Sequence, residues 1–525
     1  MTSHLLTMKS LVLISALVIP SWLVAQNKSG ATDPSLPETV KQLQEQMNEL
    51  REVVTELRQE SQRYRSETEA LRIELKAALD NKKGLSQADS IQATTIEAND
   101  SRDIAPTQDR SQSDESNRLA KMEEDLGLLS QKVNDQYQTK VESTSKYRVR
   151  LSGIALFNTF ANHGNFASAD TADLVGSPDL VGRSNSFGGS LRQSQIGLEV
   201  FGPDLAGAHT RGEVQFDFAG GFPDAPNGVT LGIMRLRTGT IHLDWPHTSI
   251  VAGQDALFFS PLSPTSFATL AEPAMSYSGN LWTWTPQVRV EHKIPVSENS
   301  NFLIQAGILD PLSGESPYSY ATYNRLPQAG EYSRKPAYAA RAAWSGILMG
   351  QQATLGAGGY FSSQDWGFQR NVKAWSGMVD WSIPFGNEFA WSGEIYRGEG
   401  LGGLGGGTYR SVLFKGPPTS ATSEANGLNT VGGWSQIKFK PQIKWEFDVA
   451  VGEDNPFANE VRTYPYNVSS RYAQIVRNQS GLVNVIYRPR SSLLFSAEYR
   501  RVQTYRLDTE KQSADQVNLA MGILF

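Results

Sequence analysis

The chain has 525 residues, 39% hydrophobic and 19% charged, with no cysteine and a formal net charge of −6. Without cysteine, disulfides and thiolate metal sites are excluded, and without a basic excess a nucleic-acid-binding surface is excluded too. No apolar run beyond the N-terminus reaches the ~20 residues that a spanning helix needs, which leaves a soluble protein or a β-barrel, whose signal per strand is weak.

Residues 1–25 read as a secretory signal peptide. Lys9 gives a positive start, Leu11 to Ile19 an apolar core too short to span, and Leu23-Val24-Ala25 a cleavage site before Gln26. Charge then divides the remainder. Residues 26–144 carry 16 Lys+Arg and 23 Asp+Glu, a net of −7, whereas residues 145–525 carry 31 of each, a net of zero; Lys9 supplies the remaining +1.

Residues 38–80 carry a heptad seam. One seam position is Val40, Met47, Val54, Ser61, Thr68 and Leu75; the other is Leu43, Leu50, Leu57, Tyr64, Leu71 and Ala78. Alternating spacings of three and four over six heptads predict a coiled coil. Residues 81–116 are polar and predict a disordered linker. Residues 117–140 hold a second, shorter helical seam at Leu119, Met122, Leu126, Leu129 and Val133, too short to be stable alone.

From residue 145 the period changes to two, which predicts strands. In Ala208 to Ala219 one face is Thr210, Gly212, Val214, Phe216 and Phe218, and the other is His209, Arg211, Glu213, Gln215 and Asp217. Similar stretches recur from Tyr147 and at 188–202, 231–245, 285–293, 301–309, 336–344, 352–361, 376–381, 389–397, 434–439, 442–451, 480–487, 492–502 and 515–525. Short turns such as Gly386-Asn387 and long loops at 161–187 and 398–430 separate them. At ~24 residues per strand and connection, residues 145–525 predict about 16 antiparallel strands; 18 fits as well. Trp245, Trp282, Trp284, Trp344, Trp381 and Trp391 are candidates for interfacial girdles or for ordinary β-core aromatics. The chain ends with Val517, Leu519, Met521, Ile523 and Phe525 on one face of the last strand, as a barrel-closing strand in lipid would.

Two features bear on what such a barrel does. Arg192, Arg211, Arg235, Arg237 and Arg289 occupy strand positions, with Glu213 and Asp217 on the face of Arg211. They are candidates for the pore lining, because the guanidinium fork suits carboxylate and phosphate. Facing acids across a pore they would set up a transverse field; the plainer reading is wall residues paired with acids. Parity limits the placement of Arg235 and Arg237: if they face inward, Ile241 and Leu243 do too unless a bulge, for which Gly239 is the candidate, shifts the register. The second feature is 256–284, which lacks alternation, holds Phe258, Phe259 and Phe267, and has Glu272 as its only charge after Asp255. It reads as a loop folded into the barrel to narrow it, or as a subunit contact. None of the six histidines sits in a nucleophile elbow or at metal-ligand spacing, so neither an enzyme nor a cofactor is expected. The glycine run 402–407 lacks the Lys-Ser/Thr of a phosphate loop and reads as a loop packed on a neighbour.

Leu191-Arg192-Gln193-Ser194-Gln195-Ile196-Gly197-Leu198-Glu199-Val200-Phe201-Gly202-Pro203, Met234-Arg235-Leu236-Arg237-Thr238-Gly239, Val251-Ala252-Gly253-Gln254, Pro286-Gln287-Val288-Arg289 and the terminal Phe525 resemble the DcaP-like trimeric porins of Gram-negative bacteria. The likeness to phosphate-selective porins O and P is more distant. The resemblance implies a sixteen-stranded homotrimeric barrel in the outer membrane, with an N-terminal coiled coil in the periplasm. The expected fold is thus an all-β transmembrane barrel plus an α-helical coiled coil. The expected function is passive diffusion of small hydrophilic solutes, anions among them, through a constricted pore. The alternative is a structural barrel whose coiled coil tethers the outer membrane to the peptidoglycan of the cell wall.

Overall fold

The computed structural model describes residues 147–176, 182–222, 232–314, 325–468, 474–507 and 511–525. The expected signal peptide, coiled coil, linker and short helical segment lie outside these residues. In chain order the strands are β1 (Val149–His163), β2 (Asn185–Ser190), β3 (Gln195–Phe201), β4 (His209–Asp217), β5 (Arg235–Asp244), β6 (Thr248–Ala256), β7 (Trp284–Ser297), β8 (Ser300–Leu309), β9 (Ala337–Leu348) and β10 (Gln351–Asp365). They continue with β11 (Asn371–Phe385), β12 (Phe389–Glu399), β13 (Val412–Phe414), β14 (Ala425–Gly427), β15 (Asn429–Gln442), β16 (Trp445–Pro456), β17 (Ile475–Arg490), β18 (Leu493–Arg506) and β19 (Gln512–Leu524). Two short helices, α1 (Ala329–Tyr332) and α2 (Ala458–Thr463), lie in connections.

Seventeen strands form one antiparallel meander, and β13 with β14 forms a separate hairpin. The meander closes on itself. β1 pairs with β19 along one edge, Phe157 opposite Met521. Along its other edge it pairs with β2, Asn158 opposite Ser190, and with β3, Leu151 opposite Leu198. β2 and β3 therefore share one place in the wall, broken at 191–194, and the barrel has sixteen staves. One of them, β6, has no counterpart among the expected strands. Gly253 within it has φ +136, and this backbone disrupts the alternation that marks the others.

The faces alternate as the period of two requires. On β19, Val517, Leu519, Met521 and Ile523 are about half exposed, while Gln516, Asn518 and Ala520 between them are buried. Apolar outside and polar inside is the arrangement of a transmembrane barrel, the inverse of a soluble sandwich. Connections at the end that holds Phe525 are short; Met349 and Gly350 join β9 to β10 with φ of 51 and 76, the left-handed pair of a tight hairpin. Most connections at the other end are long: 164–184, 218–234, 257–283, 310–336, 400–428 and 457–474.

On the outer wall near the short turns the aromatics make a belt. Phe389 stacks on Phe439 with centroids 4.5 Å apart, and Trp445 stacks on Tyr487 at 4.5 Å. Trp381 and Trp391 meet at 5.1 Å. Amphipathic rings at this level suit a membrane interface. Trp282 and Trp284 are not part of it; they pack against each other at the end of 257–283. The glycine run also departs from expectation. Gly402 to Gly406 are buried within this chain, where Gly405 lies against Trp282 and a Cβ would sit 3.0 Å from the ring.

The seam is finished by the terminal residue. The Gly153 amide donates to the Phe525 carbonyl at 2.8 Å and the Phe525 amide returns the bond at 3.1 Å. The ring covers Gly153, where a Cβ would stand 2.8 Å from it. Removing Phe525 deletes two backbone bonds of about 1 kcal/mol each and part of an aromatic contact. The expected result is a lower yield of heat-resistant folded barrel and a lower melting point, measured by gel mobility shift and circular dichroism.

Candidate functional site

The loop 257–283 leaves β6, crosses the inside of the barrel and returns to β7. Its hydrogen bonds reach inward-facing residues around much of the wall. Asn158 of β1 donates to the Phe267 carbonyl at 2.8 Å, and Gln193 at the break between β2 and β3 donates to the Ala268 carbonyl at 2.7 Å. Ser260 donates to Glu394 of β12 at 2.7 Å, and the Leu262 amide to the same carboxylate at 2.8 Å. Ser266 donates to Glu498 of β18 at 2.6 Å. Asn484 of β17 donates to the Thr265 carbonyl at 2.9 Å and Lys438 of β15 to the Thr265 hydroxyl at 2.9 Å.

Apolar side chains hold the same loop from another side. Phe258 and Phe259 are buried with Leu257 and Leu281 against Ala339, Tyr360, Met378 and Tyr396 of the inner wall. Phe259 stacks on Tyr360 at 5.5 Å. Phe267 packs on Ile154, Leu156, Leu494 and Ala520. These aromatics act as anchors in the wall. Burying side chains of this size is worth roughly 1.5–3 kcal/mol each, more than a hydrogen bond between neutral groups contributes and about as much as one to a charged group.

Opposite these anchors the loop meets arginines. Asp217, fully buried at the end of β4, accepts from Arg235 at 2.7 and 3.1 Å and from Arg237 at 2.9 Å. Arg235 also donates to the Ala271 carbonyl at 2.7 Å and Arg237 to the Leu270 carbonyl at 2.8 Å. Both guanidinium groups lie over the Trp284 ring, at 5.1 and 4.5 Å. A bulge makes this placement compatible with a greasy outer face. Gln215 faces Thr238 and Phe216 faces Leu236, so Arg237 is the extra residue. Beyond it Ile241 points outward, 63% exposed. The bulge sits two residues before Gly239, the position expected for it. Gln254 of β6 satisfies the carbonyls it frees, donating to Leu236 at 3.3 Å and Arg237 at 2.8 Å.

Arg192 is not on a strand, contrary to expectation. It lies in the 191–194 break, paired with Asp170 of the loop 164–184 at 3.0 Å. Arg211 sits nearer the short turns among Asp244 at 3.1 Å, Glu199 at 3.7 Å and Glu213 at 3.9 Å. It is the most open of the five, its side chain 33% exposed beside a Glu213 that is 41% exposed. Arg289 of β7 bonds Asp255 at 2.8 Å and Glu291 at 2.6 Å. From Glu291 the chain of contacts runs through Gln305 to Arg341, which makes a bidentate pair with Asp380 at 2.9 and 2.6 Å. Sequence reasoning missed Arg341, Asp380, Glu394, Glu498 and Arg500. Their signal was present as parity: Asp380 lies between the outward Val379 and Trp381, and Glu498 between the outward Ala497 and Tyr499.

Glu272 is the loop's one charge, and it lies beside Asp173 of the loop 164–184. Burial pushes Asp173 well above the usual carboxylate range, and the neighbouring Glu272 raises it further. Burial also raises Glu272, against the opposing pull of its bond to Asp173 and of Arg235.

No family model matches this sequence, and no curated protein matches it. Solved structures do. The chain is similar to the outer membrane channel DcaP of Acinetobacter baumannii at a TM-score of 0.53 and 15% identity, over 74% of this chain and 100% of that one. It also matches OprB of Pseudomonas putida (TM-score 0.45, 12% identity, 72% of this chain and 94% of that one). The anion-selective porin of Comamonas acidovorans matches at a TM-score of 0.43 and 11% identity, over 72% of this chain and 100% of that one. The first of these shows a shared barrel fold.

The carboxyl pair makes the contact between the two loops sensitive to pH. Asp173 is raised by its burial and by Glu272 beside it, so contact binds the Asp173 proton more tightly. The contact is therefore favoured at low pH and weakened as pH rises from the ordinary carboxylate range through the raised values. Hydrogen-exchange protection in 257–283 of the folded barrel is expected to fall as pH rises in the native chain. Asp173→Asn, which keeps the hydrogen bond without the ionisation, is expected to flatten that dependence.

Proposed function

We propose that this chain is an outer-membrane porin through which small hydrophilic solutes, anions among them, diffuse passively. One observation carries the reading: a loop folded inside a closed barrel, fixed to the wall by Glu394, Glu498 and Asn484 and facing arginines on the other side. Such an element narrows an opening, and selectivity then follows from the charges that line what remains. Arg235 and Arg237 share Asp217, and the Glu272 carboxylate of the loop also faces Arg235, so a guanidinium pair and two acids are gathered beside the loop. Arg211 with Glu199, Glu213 and Asp244 puts both signs side by side on one stretch of the wall nearer the short turns, a paired cluster on adjacent strands.

The reading includes a homotrimer, with the coiled coil of 38–80 in the periplasm. Outward positions on β1 to β5 mix small residues such as Ala155, Gly212 and Gly239 with exposed apolar ones such as Phe157, Leu198 and Ile241, a greasy face that a second wall would cover. Purified protein in a planar bilayer is expected to open in three equal steps, and an absence of openings from folded protein overturns the reading. Arg211→Ala removes a charge worth about 1 kcal/mol to an ion a few ångströms away in water. The expected shift in reversal potential is toward cations, because Glu199, Glu213 and Asp244 remain. An unchanged potential takes Arg211 out of the pore lining.

A further inference from the structure

On the outer wall, at the long-loop end of β6 to β9, lies a groove of about 530 Å³. Its floor is apolar: Pro286 and Val288 of β7 and Ile308 of β8 all point away from the barrel, and the last two are nearly half exposed. Tyr338, paired with Ile308 across the strands, stands beside it and is also half exposed. Its rim comes from Asp310, Pro311, Glu331, Arg334, Lys335 and Pro336 and is charged. The two rim acids are occupied: Arg325 pairs with Asp310 at 3.2 Å and also with Glu331 of α1. The Glu331 carboxylate also accepts from the Gln328 amide at 2.7 Å. Arg334 and Lys335 line the groove, are exposed, and have no acidic partner among the described residues. Arg334 is held in the left-handed region at φ 59, which fixes the backbone where the two cations project.

We propose that this groove binds a phosphorylated, multiply acylated lipid of the outer leaflet, of the lipid A type, with an acyl chain on Val288 and Ile308 and a phosphate on Arg334 and Lys335. An apolar floor under a rim whose three cations, Arg325, Arg334 and Lys335, outnumber its two acids, Asp310 and Glu331, by one matches a molecule that carries hydrocarbon and phosphate within one headgroup's distance. Its place at the long-loop end puts it in the leaflet that faces outward. The proposal rests on the membrane-barrel reading above.

The full chain in detergent is titrated with bisphosphorylated lipid A, with dephosphorylated lipid A and with phosphatidylglycerol, and binding is followed by native mass spectrometry. One lipid A per chain is expected, bound more tightly than the other two. The double variant Arg334→Ala, Lys335→Ala is expected to weaken it roughly tenfold or more, while Arg501→Ala, on another part of the outer wall, leaves it unchanged. Ile308→Ser, which keeps both cations, is expected to weaken lipid A and dephosphorylated lipid A alike. Equal binding of all three lipids, or an unaffected double variant, overturns the proposal. So does loss of oligomer in the double variant with no loss of lipid, which would make the groove a contact between copies. Heat-resistant migration and channel openings are checked on every variant. If they persist without lipid binding, this inference fails alone; if native protein never opens, the porin reading fails.

Discussion

The pairing of β1 with both β19 and the β2–β3 stave is the constraint on which the rest depends. In hydrocarbon an unpaired strand edge leaves a row of amides and carbonyls with no partner, each costing several kcal/mol. A meander of sixteen staves has two such edges, and joining the first to the last removes both. Once the sheet is closed, the period of two decides every other face. Residues in phase with Val517 meet the apolar surroundings and those in phase with Asn518 meet the interior. The final residue matters because it extends that seam by one more pair of backbone bonds, to Gly153.

Closure creates a second problem, since sixteen staves enclose more space than their own side chains fill. The chain fills part of it with its own loops. The loop 257–283 brings the leucines and phenylalanines that the polar inner wall lacks, and they form a core with Tyr360, Met378 and Tyr396 on one side. The glycines of 402–407 fit a second loop against Trp282. The interior is thus apolar where loop and wall are packed together and charged across from them, at Asp217, Arg235 and Arg237. The two regions stabilise each other: a loop pinned by apolar contacts on β9 to β12 presents its carbonyls of Leu270 and Ala271 at fixed positions to the arginines.

The barrel was legible in the sequence wherever alternation was clean, as in Thr210 to Phe218 or Val517 to Phe525. It was not legible at β6, where Gly253 breaks the alternation, nor at Leu191 to Ser194, where one stave divides in two. The inward course of 257–283 was readable from an apolar loop with a single charge. What its aromatics do there was not: Phe258 and Phe259 turn out as wall anchors, because only the folded barrel shows that Tyr360 and Met378 line its inside. The partners of the arginines were also hidden. Asp380 and Glu498 stand alone in sequence; Arg341 of β9 reaches the first across Gly356 of β10, and Ser266 reaches the second from the inward loop.

One inserted residue does more to define the charged region than any other single feature. With strict alternation, a strand carrying arginines at 235 and 237 would also turn Ile241 and Leu243 inward, and one of the two sets would be on the wrong side. Making Arg237 the extra residue of a bulge lets the strand reverse its phase between the guanidinium pair and the isoleucine. The carbonyls left over are taken by Gln254, and Gly253 next to it adopts a backbone that a residue with a Cβ would adopt only under strain. The short stretches Met234 to Gly239 and Val251 to Gln254 are therefore one device on two adjacent strands. Its product is the pair of cations that face the inward loop over a single buried Asp217, and their placement is a consequence of strand register before it is one of composition.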